Sequence, residues 1–203
     1  MSFDSPLDCL FSGFKLRSSF LELHPIFEGP ADEDAELIVS LRAPREGSYL
    51  KPSVNTVDSQ KDYLAAYLDR YQSRKEIYYK ILDIKKGKYL GVVRLTQLDQ
   101  RCDFGWESLV VSKDATPILG IDAMMGIYSL GFDFLKRNRC GPWEVDKNHS
   151  RMMKIHELLG IADTCGATGS YFLLQVKAIN YHRLKGIVRS RFGLSEISFH
   201  DEN

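Results

Sequence analysis

The sequence predicts an α/β chain of the α+β kind, with a mixed, mostly antiparallel central sheet flanked by helices. Three strand-like runs follow one another between residues 77 and 111 with no helix between them, which favours antiparallel pairing. The later strands are interrupted by helices without regular alternation, so a doubly wound nucleotide fold fits poorly. The 203 residues with 44% apolar content suit one domain, or one plus a short arm.

The elements follow in order. Phe20–Ile26 (FLELHPI) alternates like a strand, with Pro25 marking an edge or an end. Asp32–Leu41 has helical spacing, and its acidic start suits the positive end of a helix dipole. Gly47–Val57 is rich in turn formers and reads as a loop. Ser59–Arg74 then sets Tyr63, Leu64, Tyr67, Leu68 and Tyr71 on one helical face. The strand-like runs are Ile77–Ile84, Tyr89–Leu98 and Asp103–Val111, the first two joined by a turn at Lys86-Gly87-Lys88. A long helix is predicted over Pro117–Lys136, with Thr116 as its N-cap. Strand Trp143–Val145, helix Asn148–Leu159, strand Tyr171–Val176 and a basic helix Asn180–Arg191 complete the chain. The expected division is an N-terminal arm (1–18), a main domain (19–177) and a C-terminal basic helix and tail (178–203).

Composition excludes several classes. The 27 basic and 27 acidic residues balance, against a protein dedicated to nucleic acid. Apolar runs fall far short of the roughly 20 residues needed to span a bilayer. The first residues carry Asp4 and Asp8 and do not read as a signal peptide, so a cytoplasmic location is expected. Cys9, Cys102, Cys140 and Cys165 lie far apart, which predicts reduced, mostly buried thiols and no metal site.

The stretch Glu144–Ile161, EVDKNHSRMMKIHELLGI, runs from a short apolar strand into Asn148 and then an amphipathic helix stopped by Gly160. This order of strand, Asn, helix and HE-x-LG resembles the last signature of the GCN5-related N-acetyltransferase superfamily, N-x-x-S-x-x-x-H/Y-E-x-x-G-F. The order of elements from about Leu21 to Val176 is also that superfamily's. The resemblance implies an acetyl-CoA-dependent enzyme that moves an acetyl group directly to a primary amine. It places coenzyme A in a V-shaped opening between the fourth and fifth strands, its pantetheine arm on the free backbone of Leu109, Val110 and Val111. The pyrophosphate would meet the following loop and helix start, where the family reads Q/R-x-x-G-x-G/A. Gly120 takes the first glycine position, Pro117 stands where Q/R is expected, Asp122 adds a negative charge, and Lys113 is near enough to offset it. Asn148 takes the family's Asn with one extra residue before Gly160.

The same resemblance sets His156 in the position of the acid that protonates the leaving thiolate. His156 also shares a helical face with Met152 and Leu159, as a packed core histidine would. Glu107 and Asp103 share one strand face by period-two alternation, and Glu107 is the first choice of base. Arg42 and Tyr49, in an LR…YL arrangement found in relatives acting on amino-sugar nucleotides or protein N-termini, are the expected acceptor contacts. Tyr78, Tyr79 and Tyr89 line a sugar pocket or pack in the core. The expected partner is a small-molecule amine, with an amino-sugar nucleotide preferred and protein N-termini second, and a homodimer is entertained. The rival reading is a non-catalytic relative that kept the fold and lost the cofactor loop.

Overall fold

The computed structural model describes residues 5–27, 31–43 and 56–200. Helix α1 (Pro6–Leu10) is capped by Ser5, which accepts the Asp8 N–H, and is followed by strands β1 (Lys15–Arg17) and β2 (Leu21–Pro25). Helix α2 (Asp32–Arg42) precedes α3 (Val57–Gln72), which opens on a reciprocal cap between Thr56 and Ser59. Three strands form a meander, β3 (Ile77–Asp83), β4 (Lys88–Thr96) and β5 (Asp103–Val111). Helix α4 (Leu119–Ser129) runs into a π-helical turn, Leu130–Phe134. The chain continues as β6 (Arg139–Asp146), α5 (Ser150–Leu159), β7 (Ala162–Thr168), β8 (Tyr171–Lys177), α6 (Ala178–Phe192) and β9 (Ser198–His200).

The nine strands among the described residues join one sheet in the order β7-β8-β6-β5-β4-β3-β2-β1-β9. Every neighbouring pair is antiparallel except β5 and β6, which run parallel. Both faces of the central strands are covered, so β3 is apolar almost throughout. Ile38, Leu41, Leu64 and Tyr67 of α2 and α3 pack with Tyr78, Val92 and Val110 on one face. Met124, Ile127, Tyr128, Tyr181 and Val188 of α4 and α6 pack with Tyr79, Val93, Phe104 and Trp106 on the other. Tyr78 and Tyr79 are therefore core residues. The Tyr67 hydroxyl donates to the Ile26 carbonyl at 2.7 Å and accepts the Tyr78 N–H at 3.0 Å, tying α3 to two strands.

Several elements differ from expectation. Residues 15–17, assigned to an arm, pair with β2 and with β9, and Leu10, Phe14 and Leu16 are buried. Strand β7 (ADTCGAT) is an edge strand exposed along most of its length, so it lacks the apolar alternation that reveals a strand. The long helix begins two residues late because the Thr116 N–H and hydroxyl bond Asp83 Oδ2, each at 2.8 Å, in place of capping. It also does not continue as one α-helix. A Cβ on Gly131 would lie 2.1 Å from the Phe104 ring, and the π-helical turn carries Gly131 across that contact. Among the cysteines, expected to be mostly buried, Cys140 is buried while Cys102 and Cys165 are exposed.

Candidate active site

Strands β5 and β6 share only two pairs, Asp103↔Arg139 and Phe104↔Cys140. Both chains then deviate. On β5, Ser108 and Leu109 together face the single residue Val93, because the register passes from Arg94↔Glu107 to Val92↔Val110. Ser108 holds the bulge with φ 55°, a left-handed conformation that costs a non-glycine residue about 1 kcal/mol. On β6 the register shifts between Cys140 and Trp143, where Gly141 has φ 92°. A Cβ there would lie 2.5 Å from Trp143 Cε3 and 2.9 Å from the Leu174 carbonyl, so only glycine fits. Two adjacent bulges thus open a V-shaped slot, and from Gly105 to Val110 the β6-facing edge of β5 has no strand partner among the described residues. Leu109 and Val110 lie along this stretch, and Val111 ends the strand. Leu109 is half-buried, and Val110 turns into the α2–α3 core.

Alternation gives the slot two unlike walls. On the α4–α6 side stand Trp106 of β5, Trp143 of β6 and His156 of α5, with ring centroids 5.3 Å (Trp106–Trp143), 6.4 Å (Trp106–His156) and 5.6 Å (Trp143–His156) apart. His156 is 4% exposed, and neither ring nitrogen has a hydrogen-bond partner among the described residues. Burial pushes its pKa down to about 4. The indole N–H groups of both tryptophans and the hydroxyl of Tyr128, which stands behind Trp106, also lack partners of good geometry. Unpaired buried donors in one place are uncommon.

On the α2–α3 side Glu107 is half-exposed, and Arg94 of β4 holds its Oε2. The same guanidinium donates to the Tyr63 hydroxyl and lies 3.7 Å from Glu76, whose carboxylate is 2.9 Å from Arg70. Burial opposes the charge on Arg94, but Tyr63, Glu76 and Glu107 outweigh it and leave its pKa raised. Burial also raises the Tyr63 pKa, so its hydroxyl stays protonated. Glu107 and His156 therefore lie on opposite faces, flanking the slot at the level of residues 106–107.

The wide end of the slot meets the start of α4. The N–H groups of Gly120 and Ile121 have no bonded acceptor among the described residues, the helix has no side-chain cap, and Lys113 is exposed in the preceding loop. These donors fit a diphosphate, although Pro117 contributes no N–H. Asp122 does not face this end. It is 1% exposed, accepts the Ser18 hydroxyl and the Phe20 N–H, and its carboxyl pKa is raised by burial.

Asn148 lies exposed in a turn, its N–H on Asp146 Oδ1 at 2.7 Å, and His149 caps α5. Arg42 is half-exposed in the last turn of α2, near Tyr78, whose pKa burial raises. Tyr49 lies outside the described residues. Asp103, the other carboxylate considered, is paired with Arg139. Arg94, Trp106, Trp143 and Tyr128 stand around the slot and carry no motif in the sequence. Only the strand alternation at Trp106 and Glu107 signalled them. A polar cleft of about 340 Å³ on the α2 side, lined by His24, Asp34, Lys80 and Tyr89 among others, is separate from the slot. Its groups already pair as Lys80–Asp34 at 2.6 Å and His24–Tyr89 at 2.9 Å.

A mixed sheet splayed between two parallel strands, with a helix start at its wide end, is the fold of the GCN5-related N-acetyltransferase superfamily. Solved structures agree. FdhC, described as a nucleotide-linked sugar GNAT, superposes with a TM-score of 0.74 at 22% identity, covering 88% of this chain and 97% of that one. RimJ of Mycobacterium smegmatis, in complex with CoA-disulfide, gives 0.67 at 12% identity over 88% and 93%. A GCN5-related N-acetyltransferase from Brucella melitensis gives 0.66 at 15% over 88% and 85%. No family model and no curated protein matches the chain. Among the described residues no helix is long and apolar enough to cross a membrane.

Proposed function

We propose that this chain is an acetyl-CoA-dependent N-acyltransferase acting on a primary amine, with an amino-sugar nucleotide as the preferred acceptor class and the cytoplasm as its location. The observation that carries the reading is the β5–β6 slot, with Glu107 and His156 flanking it at one level. Gly120, Ile121 and Lys113 would hold the diphosphate, and the β5 edge along Leu109 and Val110 the pantetheine arm. Acetyl-CoA would supply an activated acyl thioester.

The chain's own residues divide the remaining work. Glu107 is the carboxylate placed to take a proton from the incoming ammonium, which must be neutral to attack. Arg94 fixes that carboxylate's orientation and leaves its second oxygen available. His156 is a neutral imidazole at pH 7, since burial keeps its pKa near 4. It therefore acts as a hydrogen-bond donor through its single N–H on the buried side of the slot. The likeness to FdhC supports the nucleotide-sugar class. Protein N-termini are the second acceptor class.

Calorimetric titration with acetyl-CoA, with free coenzyme A alongside, tests the reading. One-to-one binding in the micromolar range, about −8 kcal/mol, is expected, followed by turnover with amino-sugar nucleotides. Absence of binding up to millimolar concentration would favour a non-catalytic relative.

A further inference from the structure

The slot ends in a rigid wall. Phe104↔Cys140 is the last strand pair, and the aromatic residues that follow on the two strands, Trp106 and Trp143, approach to 5.3 Å between ring centroids. His156 closes the third side, and it and Trp106 are 4% and 5% exposed. The wall has no room to retreat. Trp143 lies so close to Gly141 that a single Cβ there would sit 2.5 Å from its ring. Trp106 is backed by Tyr128, and Tyr128 by Phe132 and Tyr181 at 6.2 and 6.3 Å.

The slot is also polarised along its length. The wide end offers exposed Lys113 and the free N–H groups at the start of α4. The narrow end offers indole and imidazole rings. A diphosphate is costly to desolvate and goes to the wide end, leaving the uncharged acyl thioester for the narrow one. Val111 to Trp106 is five residue steps, about 17 Å of strand, enough to run an extended pantetheine arm along β5 from one end to the other.

We infer that Trp106, Trp143 and His156 form an end wall that sets acyl length, admitting acetyl and rejecting acyl groups of four carbons or more. The inference rests on the acyltransferase reading and names the donor that its site selects. Extra methylene groups pressed against a close-packed aromatic wall have no low-energy accommodation, which for two of them lowers affinity roughly tenfold or more.

The test is titration of the full chain with free coenzyme A, acetyl-CoA and butanoyl-CoA, repeated on Trp143→Ala. The expected result is comparable binding of the first two and roughly tenfold weaker binding of butanoyl-CoA, with Trp143→Ala bringing the two acyl forms within about twofold. Equal binding of acetyl-CoA and butanoyl-CoA by the unaltered chain overturns the wall and leaves the acyltransferase reading standing. Failure to bind free coenzyme A removes that reading and the wall with it. If Trp143→Ala does not fold, Trp143→Phe serves, and the discrimination shown by the unaltered chain decides the matter without a variant.

Discussion

Strand β5 separates two regions that treat polar atoms in opposite ways. Behind Trp106 the side chains are buried and close-packed, and His156, Trp106, Trp143 and Tyr128 all carry polar atoms without hydrogen-bond partners among the described residues. In front of Glu107 the groups are charged and joined through Arg94 to Glu76 and Tyr63. One residue of offset along a single strand produces both. Stability should therefore reside on the dry face and proton transfer on the charged one, because packing needs exclusion of water and an amine needs access to it.

The largest expected effect tests the charged face. Glu107→Gln keeps shape and loses the proton acceptor, so kcat/KM for the preferred amine should fall by about 10²–10³, while stability to urea should change by no more than about 1 kcal/mol, as for an exposed ion pair. A variant that unfolds easily yet turns over normally would reverse the roles assigned to the two faces. Gly131→Ala tests the dry face from behind. Its new Cβ meets the Phe104 ring at 2.1 Å, and about 3 kcal/mol of stability should be lost in urea unfolding.

Acid sharpens the comparison, since it reaches His156 through folding. The folded pKa is about 4 and the unfolded value about 6.5, so the unfolded chain binds the extra proton between these limits. The contribution of neutral His156 is complete above pH 6.5 and is lost as pH falls toward 4, to about 3 kcal/mol. His156→Phe should flatten that part of the stability curve. The same variant tests the hydrogen-bond role, because full turnover in it would remove His156 from the reaction.

Part of this organisation was legible before the structure. The alternation of Phe104, Trp106 and Glu107 is written in residue type, as is the stop at Gly160, and both survive intact. The opening between the fourth and fifth strands was implied by the family resemblance alone, and no residue type announces it. It depends on Ser108 adopting φ 55°, and serine carries no signal for that conformation. Nor could Trp106 and Trp143 be joined without knowing that β5 and β6 part after Phe104 and Cys140. Strand β7 escaped because an exposed edge needs no apolar face, and β1 because three residues are too few to show a period.

Asp122 shows how charge can be read correctly and placed wrongly. Its sequence position puts a carboxylate beside the diphosphate donors, yet in the fold it turns inward to Ser18 and Phe20. An amide at this position still accepts both hydrogen bonds and has no charge to desolvate, but it buries an NH2 where Oδ1 has no partner among the described residues, so Asp122→Asn should stay within about 1 kcal/mol of the parent at pH 7. Asp122→Ala, which abandons the Phe20 N–H and the Ser18 hydroxyl, should cost about 2 kcal/mol. The decisive readout is affinity. If Asp122 repelled a diphosphate, Asp122→Asn would tighten coenzyme A several-fold. With the carboxylate turned into the core, titration should show a change of less than about twofold, under 0.5 kcal/mol.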